Sequence, residues 1–172
     1  TVDLATTVVP GIASIASIEG VLGSAYDDWL YGDDGNHILQ GGLGNDHLIG
    51  RAGDDTYRFA DNYSSDVIVE LDGEGDDTMD FSSVDQSLTF TFYPTQVTVS
   101  YGLNLAEHDG IFIEHFIGGS ADDLVVIKDG AAIDGTLDGS DGKLTLDLSE
   151  HSSGSTFTLT DLAEYIRTLD VD

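Results

Sequence analysis

The side chains of this sequence best placed to do chemistry are carboxylates. Asp and Glu number 33 against 5 Lys and Arg, a formal charge of -28 on 172 residues. A small domain ordinarily carries a net charge of about 2–8 in magnitude. Between Gly23 and Arg58 the acids recur in step: Asp28, Asp46 and Asp55 occupy equivalent places at multiples of nine residues, and His37 takes the remaining one. Oxygen donors at fixed spacing, with almost no cationic side chains to answer them, suit a hard metal ion. They do not suit a nucleic-acid backbone or an anionic membrane, both of which repel such a chain. Other chemistries lack their residues. There is no Cys, so disulfides, thiolate metal sites and cysteine nucleophiles are excluded. His37, His47, His108, His115 and His151 show no H-E-x-x-H spacing for zinc, and no G-x-S-x-G elbow accompanies the serines. Adjacent acids such as Asp54 and Asp55 are expected by abundance alone, without glycoside chemistry. Trp29 reads as an exposed or lateral packing residue rather than a sugar platform.

The elements that must position these acids follow from the same spacing. Residues 23–58 divide without gaps into GSAYDDWLY, GDDGNHILQ, GGLGNDHLI and GRAGDDTYR. Position one is always Gly (Gly23, Gly32, Gly41, Gly50), and position four is Tyr26, Gly35, Gly44 and Gly53. Position five is Asp27, Asn36, Asn45 and Asp54; position eight is Leu30, Leu39, Leu48 and Tyr57. The Gly-, Asn- and Asp-rich first six residues favour a turn. The last three form a short strand whose position-eight side chain points inward. Two units make one coil, and coils stack at the strand spacing of about 4.8 Å. Asp28 then lies over Asp46 on one side, and His37 over Asp55 on the other. Carboxylates at roughly 5 Å repel by about 1 kcal/mol in water and by several at lower dielectric. A cation between them removes that cost. Ca²⁺ accepts six to eight oxygens in flexible geometry, whereas Mg²⁺ demands a tight octahedron and keeps its waters, so calcium is the expected ion.

These units resemble the nonapeptide G-G-x-G-x-D-x-U-x of the RTX (haemolysin-type) calcium-binding proteins. The resemblance implies an all-β fold, a parallel β-roll or β-solenoid with calcium-binding turns, and export by type I secretion. It implies that Asp28, Asp46 and Asp55 supply ligands, together with the turn backbone at Gly23, Gly32, Gly41, Gly44, Gly50 and Gly53. His37 departs from the pattern, so the turn pairing it with Asp55 is expected to hold an ion weakly or not at all. Tyr26 replaces a turn glycine and alters the first loop.

Beyond the four units the pattern degenerates. Residues 18–28 align without gaps to residues 113–123, which places Asp123 opposite Asp28. Residues 72–82 carry Asp77 as a further candidate ligand and recur at 138–149, where Lys143 and Leu144 stand in place of Asp76 and Asp77. Thr89–Phe92 recurs as Thr156–Leu159, and Asp3–Ala5 reads as the tail of another unit. Glu19 and Glu114 precede the turns in equivalent places. Two coils bury little, and repeat stacks need three or more units. Residues 59–172 must therefore extend the stack with longer, more apolar strands, and 161–167 has the spacing of a short terminal helix or cap.

The expectation is one elongated module over residues 1–172, a segment of a larger secreted or surface polypeptide, since the chain opens and closes inside a repeat. It folds on binding Ca²⁺ outside the cell and stiffens the protein that carries it. Its partners are calcium ions and the rest of that polypeptide, with no nucleic acid and no membrane insertion. It is not expected to be an enzyme. The alternatives are an accessory or catalytic β-helix of a secreted polysaccharide-modifying enzyme, disfavoured by the scarcity of basic side chains to hold acidic sugars, and an adhesin segment.

Overall fold

The structure, a computed structural model, describes residues 1–5, 17–133 and 135–150. The expected helix at 161–167 and the repeat strand at 156–159 lie outside them. All regular elements of the described residues are strands. Those of the nonapeptides are three residues long: β3 (Trp29–Tyr31), β4 (Ile38–Gln40) and β5 (His47–Ile49). β6 (Thr56–Ala60) lengthens to five as the unit pattern gives way to an alternating run. Strand β3 pairs in parallel with β5, Leu30 opposite Leu48, and β4 with β6, Leu39 opposite Tyr57. Each offset is one coil of two units, so odd and even strands build two separate sheets as the spacing predicts.

Longer strands continue the stack: β7 (Ser65–Val69), β8 (Thr78–Ser83), β9 (Thr89–Tyr93), β10 (Gln96–Tyr101), β11 (Asn104–His108), β12 (His115–Ile117) and β13 (Asp123–Ile127), followed by β14 (Thr136–Asp138) and β15 (Leu144–Asp147). At the other end stand β1 (Val2–Asp3) and β2 (Gly20–Leu22). The nine-stranded sheet runs β1-β3-β5-β7-β11-β10-β9-β13-β15, and the six-stranded sheet β14-β12-β8-β6-β4-β2. Near the expected tail unit at Asp3–Ala5, Asp3 pairs with Tyr31 as an additional rung. The aligned segments 18–28 and 113–123 also match in structure, each a short strand and a turn that leads into the next strand, which begins at Trp29 in the first and at Asp123 in the second. The 72–82 and 138–149 copies share only their local form, since β8 and β15 lie in different sheets.

One feature departs from an all-parallel roll. Strands β9, β10 and β11 form an antiparallel meander, joined to its parallel neighbours through β11–β7 and β13–β9. The first sheet thus inserts three strands where the second steps directly from β8 to β12. A regular roll would place one strand there, so the two extra strands, at about 4.8 Å each, give the first sheet roughly 10 Å of width that the second lacks. Side-chain size follows that widening. Leu30, Leu48 and Ile68 face Leu39 and Tyr57 in the regular coils, all buried. Beside the meander the core becomes Phe59, Phe81, Phe90, Phe92 and Phe116, with Phe59 stacked on Phe81 at 4.4 Å and Phe92 edge-on to Phe116 at 5.0 Å.

Candidate metal centre

Each position-six residue sits at the end of a turn, immediately before a strand. Stacking the coils therefore sets these residues in two columns. One contains Asp28, Asp46 and Asp66; the other His37, Asp55, Asp77 and Glu114. Within a column one carboxylate oxygen of each acid beyond the first rung accepts the backbone N–H of the rung before it. Asp28 N–H donates to Asp46 Oδ1 at 2.7 Å and Asp46 N–H to Asp66 Oδ1 at 2.9 Å. In the other column His37 N–H donates to Asp55 Oδ1 at 2.7 Å, Asp55 N–H to Asp77 Oδ1 at 2.8 Å, and Asp77 N–H to Glu114 Oε2 at 2.8 Å. Position five does the reverse. Its side chain accepts from the rung after it, as Asn45 N–H donates to Asp27 Oδ1 and Asp54 N–H to Asn36 Oδ1. Those contacts zip the outer turns together and account for Asn serving as well as Asp there.

The second oxygens divide the candidate ligands. Oδ2 of Asp46, of Asp55 and of Asp77 is buried without a hydrogen-bond partner. Such an orphan costs about 1–3 kcal/mol, more when charged. Asp28 is only partly buried, and its Oδ2 accepts both the N–H and the hydroxyl of Ser24, which hold its carboxyl below the usual range. Asp123 is buried but has both oxygens engaged, Oδ1 by Leu88 N–H at 2.8 Å and Oδ2 by Gly119 N–H at 3.0 Å. A Cβ on Gly41 would overlap Asp46 Oδ2, and one on Gly50 would overlap Asp55 Oδ2. A Cβ on Gly23 or Gly32 would strike the carbonyl oxygen of Gly41 or Gly50. Position-one glycine thus leaves room for the orphan oxygen and brings a neighbouring carbonyl close. Gly44 and Gly53 have φ of 117° and 111°, a left-handed conformation that a side chain would strain. Tyr26 and Gly35, at the same position in the first two turns, do not adopt it. Those turns, the ones that carry the departures Tyr26 and His37, have a different backbone.

The electrostatics match the geometry. Burial raises the carboxyl of Asp46, pushes Asp55 up to about 6 and Asp77 to about 7. Asp66 is pushed to about 8 and Glu70 to about 9 by the same desolvation, with neighbouring carboxylates adding to it. Three of the scarce cations are engaged elsewhere: Arg51 pairs with Asp3, Arg58 with Asp80 and Lys128 with Glu150. His37 is buried where the other units place an acid, its ring nitrogens 3.3 Å from Asp55 Oδ1 and 3.5 Å from Asp33 Oδ1. Trp29 is partly exposed and stacks on His47 at 3.9 Å, a lateral packing role. Orphaned oxygens, nearby carbonyls and raised carboxyl groups together form a donor set made for a hard cation. Asp66 and Glu70 stand outside the residues expected from sequence. Asp66 is detectable by D-x-U spacing alone, since Asp66-Val67-Ile68 repeats Asp46-His47-Leu48. Glu70 occupies a glycine position and has no repeat mark.

A solved structure, that of the AlgE6R3 subunit of the Azotobacter vinelandii mannuronan C5-epimerase, is 22% identical over 56% of this chain and 78% of its own, with a TM-score of 0.31. The comparison with curated proteins gives no match. The family model of the RTX calcium-binding nonapeptide repeat matches residues 22–57 in four copies, the stretch that carries the two columns' first rungs. Residues 22–57 are thus similar to the RTX repeats, which are calcium-binding.

Proposed function

We propose that this chain is one module, residues 1–172, of a larger secreted polypeptide, and that its β-roll assembles when Ca²⁺ enters the turns. In this reading Asp28, Asp46, Asp55, Asp77 and Asp123 are ligands, with turn backbone at Gly23, Gly32, Gly41, Gly44, Gly50 and Gly53. The single observation that carries it is the set of unpartnered buried oxygens on Asp46, Asp55 and Asp77 in a chain of charge -28. Without a counter-ion the folded state concentrates charge that the extended chain spreads out. Binding free energy then becomes folding free energy. In a low-calcium cytosol the chain stays extended for export, and extracellular Ca²⁺ closes the stack. The module's role is structural, a stiffened segment, and any catalysis of the parent polypeptide resides in other parts of it. Far-UV circular dichroism of calcium-stripped protein at neutral pH is expected to lack strand signal and to gain it at millimolar Ca²⁺. A fully folded spectrum in chelator would contradict the switch.

A further inference from the structure

Two residues break the repeat pattern at one place, and they touch. Position eight is Leu in three units and Tyr57 in the fourth. The place of the position-one glycine after β7 is taken by Glu70, which opens the turn ending at Asp77. Gly50 N–H donates to the Tyr57 hydroxyl at 2.8 Å, and that hydroxyl donates to Glu70 Oε1. Tyr57 thereby fixes one oxygen of Glu70 and leaves the other, Oε2, buried and unpartnered. Glu70 is 2% exposed, Asp55 and Asp77 1% each. One carboxylate oxygen from each of the three lies within 4.8 Å of the others. A Ca²⁺ ion with bonds of about 2.3–2.6 Å bridges ligands up to about 5 Å apart, whereas Mg²⁺, at about 2.0–2.1 Å, spans only about 4 Å. The nonapeptide motif places no carboxylate at position one.

We propose that Glu70 is a third carboxylate ligand to the ion held between the turns ending at Asp55 and Asp77, oriented by Tyr57, and that it makes this the tightest calcium site of the module. The inference rests on the calcium-binding reading above and adds a ligand to it. Affinity in oxygen-ligand calcium sites rises with the number of charged ligands and with their rigidity, and this pocket has more of both than the Asp28–Asp46 pair. It also compensates for His37 as the neighbouring rung of the same column, which brings no carboxylate.

The test is Ca²⁺ titration of the full chain against a chromophoric chelator, for the wild type and for Glu70→Gln. Glutamine keeps the size and the hydrogen bond from Tyr57 but removes the charge. The tightest class of sites is expected to weaken on the order of tenfold or more, while the variant reaches the wild-type circular dichroism at saturating Ca²⁺. Tyr57→Phe, which frees Glu70 without removing its charge, is expected to weaken the same class by less, and it serves if Glu70→Gln does not fold. An unchanged tightest class in the folding-competent variant overturns the assignment of Glu70 and leaves the repeat reading intact. Absence of any Ca²⁺ uptake by the wild type overturns both.

Discussion

Removing calcium should invert the pH dependence of this fold. The perturbation is a shift of calcium-stripped protein from pH 7.5 to pH 5.5. Burial raises the carboxyls of Asp66 to about 8, Glu70 to about 9 and Asp77 to about 7. In the unfolded chain they return to 3.8, 4.5 and 3.8. A group whose value is higher in the folded state binds its proton there preferentially. Its stabilising contribution is complete below about pH 4 and is lost as pH rises through the folded value. At pH 7.5 the unfolded chain ionises Asp66 while its buried site still favours the proton, which costs the calcium-free fold roughly 5 kcal/mol, at about 1.4 kcal/mol per pH unit. A whole domain has only about 5–15 kcal/mol in hand. Lowering the pH by two units recovers about 3 kcal/mol for Asp66 and a similar amount for Glu70. Calcium-loaded protein responds in the opposite sense, because acid protonates the ligands and releases the ion. Circular dichroism should show the stripped protein, without strand signal at pH 7.5, gaining strand signal and a measurable thermal midpoint at pH 5.5, and the loaded protein losing stability. A stripped protein that gains no strand signal between pH 7.5 and 5.5 would contradict this.

Other outcomes follow from single contacts. Asp46→Asn removes the charge of an orphan oxygen, so calcium-dependent folding should need several-fold more Ca²⁺, read by circular dichroism along a Ca²⁺ titration. Gly44→Ala puts a Cβ 2.6 Å from the Tyr26 carbonyl carbon at φ 117°; about 1–3 kcal/mol of stability should be lost in saturating Ca²⁺ by urea unfolding. Leu48→Ala empties a fully buried position-eight site and should cost about 2–5 kcal/mol in the same assay. Mg²⁺ at equal concentration should not restore the strand spectrum, because its octahedron is too tight for these turns.

Much of the stack is legible in the sequence because a nine-residue rhythm couples two independent requirements. Position eight must be apolar to fill the core, and positions one to six must turn. Register follows from that, since Leu30 can face Leu48 only if the coil is eighteen residues long. The meander of β9 to β11 is a different case. Alternating runs such as Leu88–Phe92 and Val97–Val99 read identically in parallel and antiparallel sheets. The clue to direction lay in the two-residue connections at Pro94-Thr95 and Gly102-Leu103, short enough only for hairpins. Asp66 hides because the insertion at 59–65 breaks the spacing while preserving D-x-U. Glu70 hides because its role arises from stacking beneath Gly50 and from a partner thirteen residues earlier in sequence, Tyr57. Neither neighbour is visible in a motif defined within one unit.

The central claim is that Ca²⁺ ties successive turns together through the free oxygens of the position-six acids. A crystal structure of the chain grown in millimolar Ca²⁺ tests it most directly. Ions are expected at about 2.3–2.6 Å from Oδ2 of Asp46, Asp55 and Asp77. Well-ordered turns of unchanged backbone with no ion beside those oxygens would contradict it.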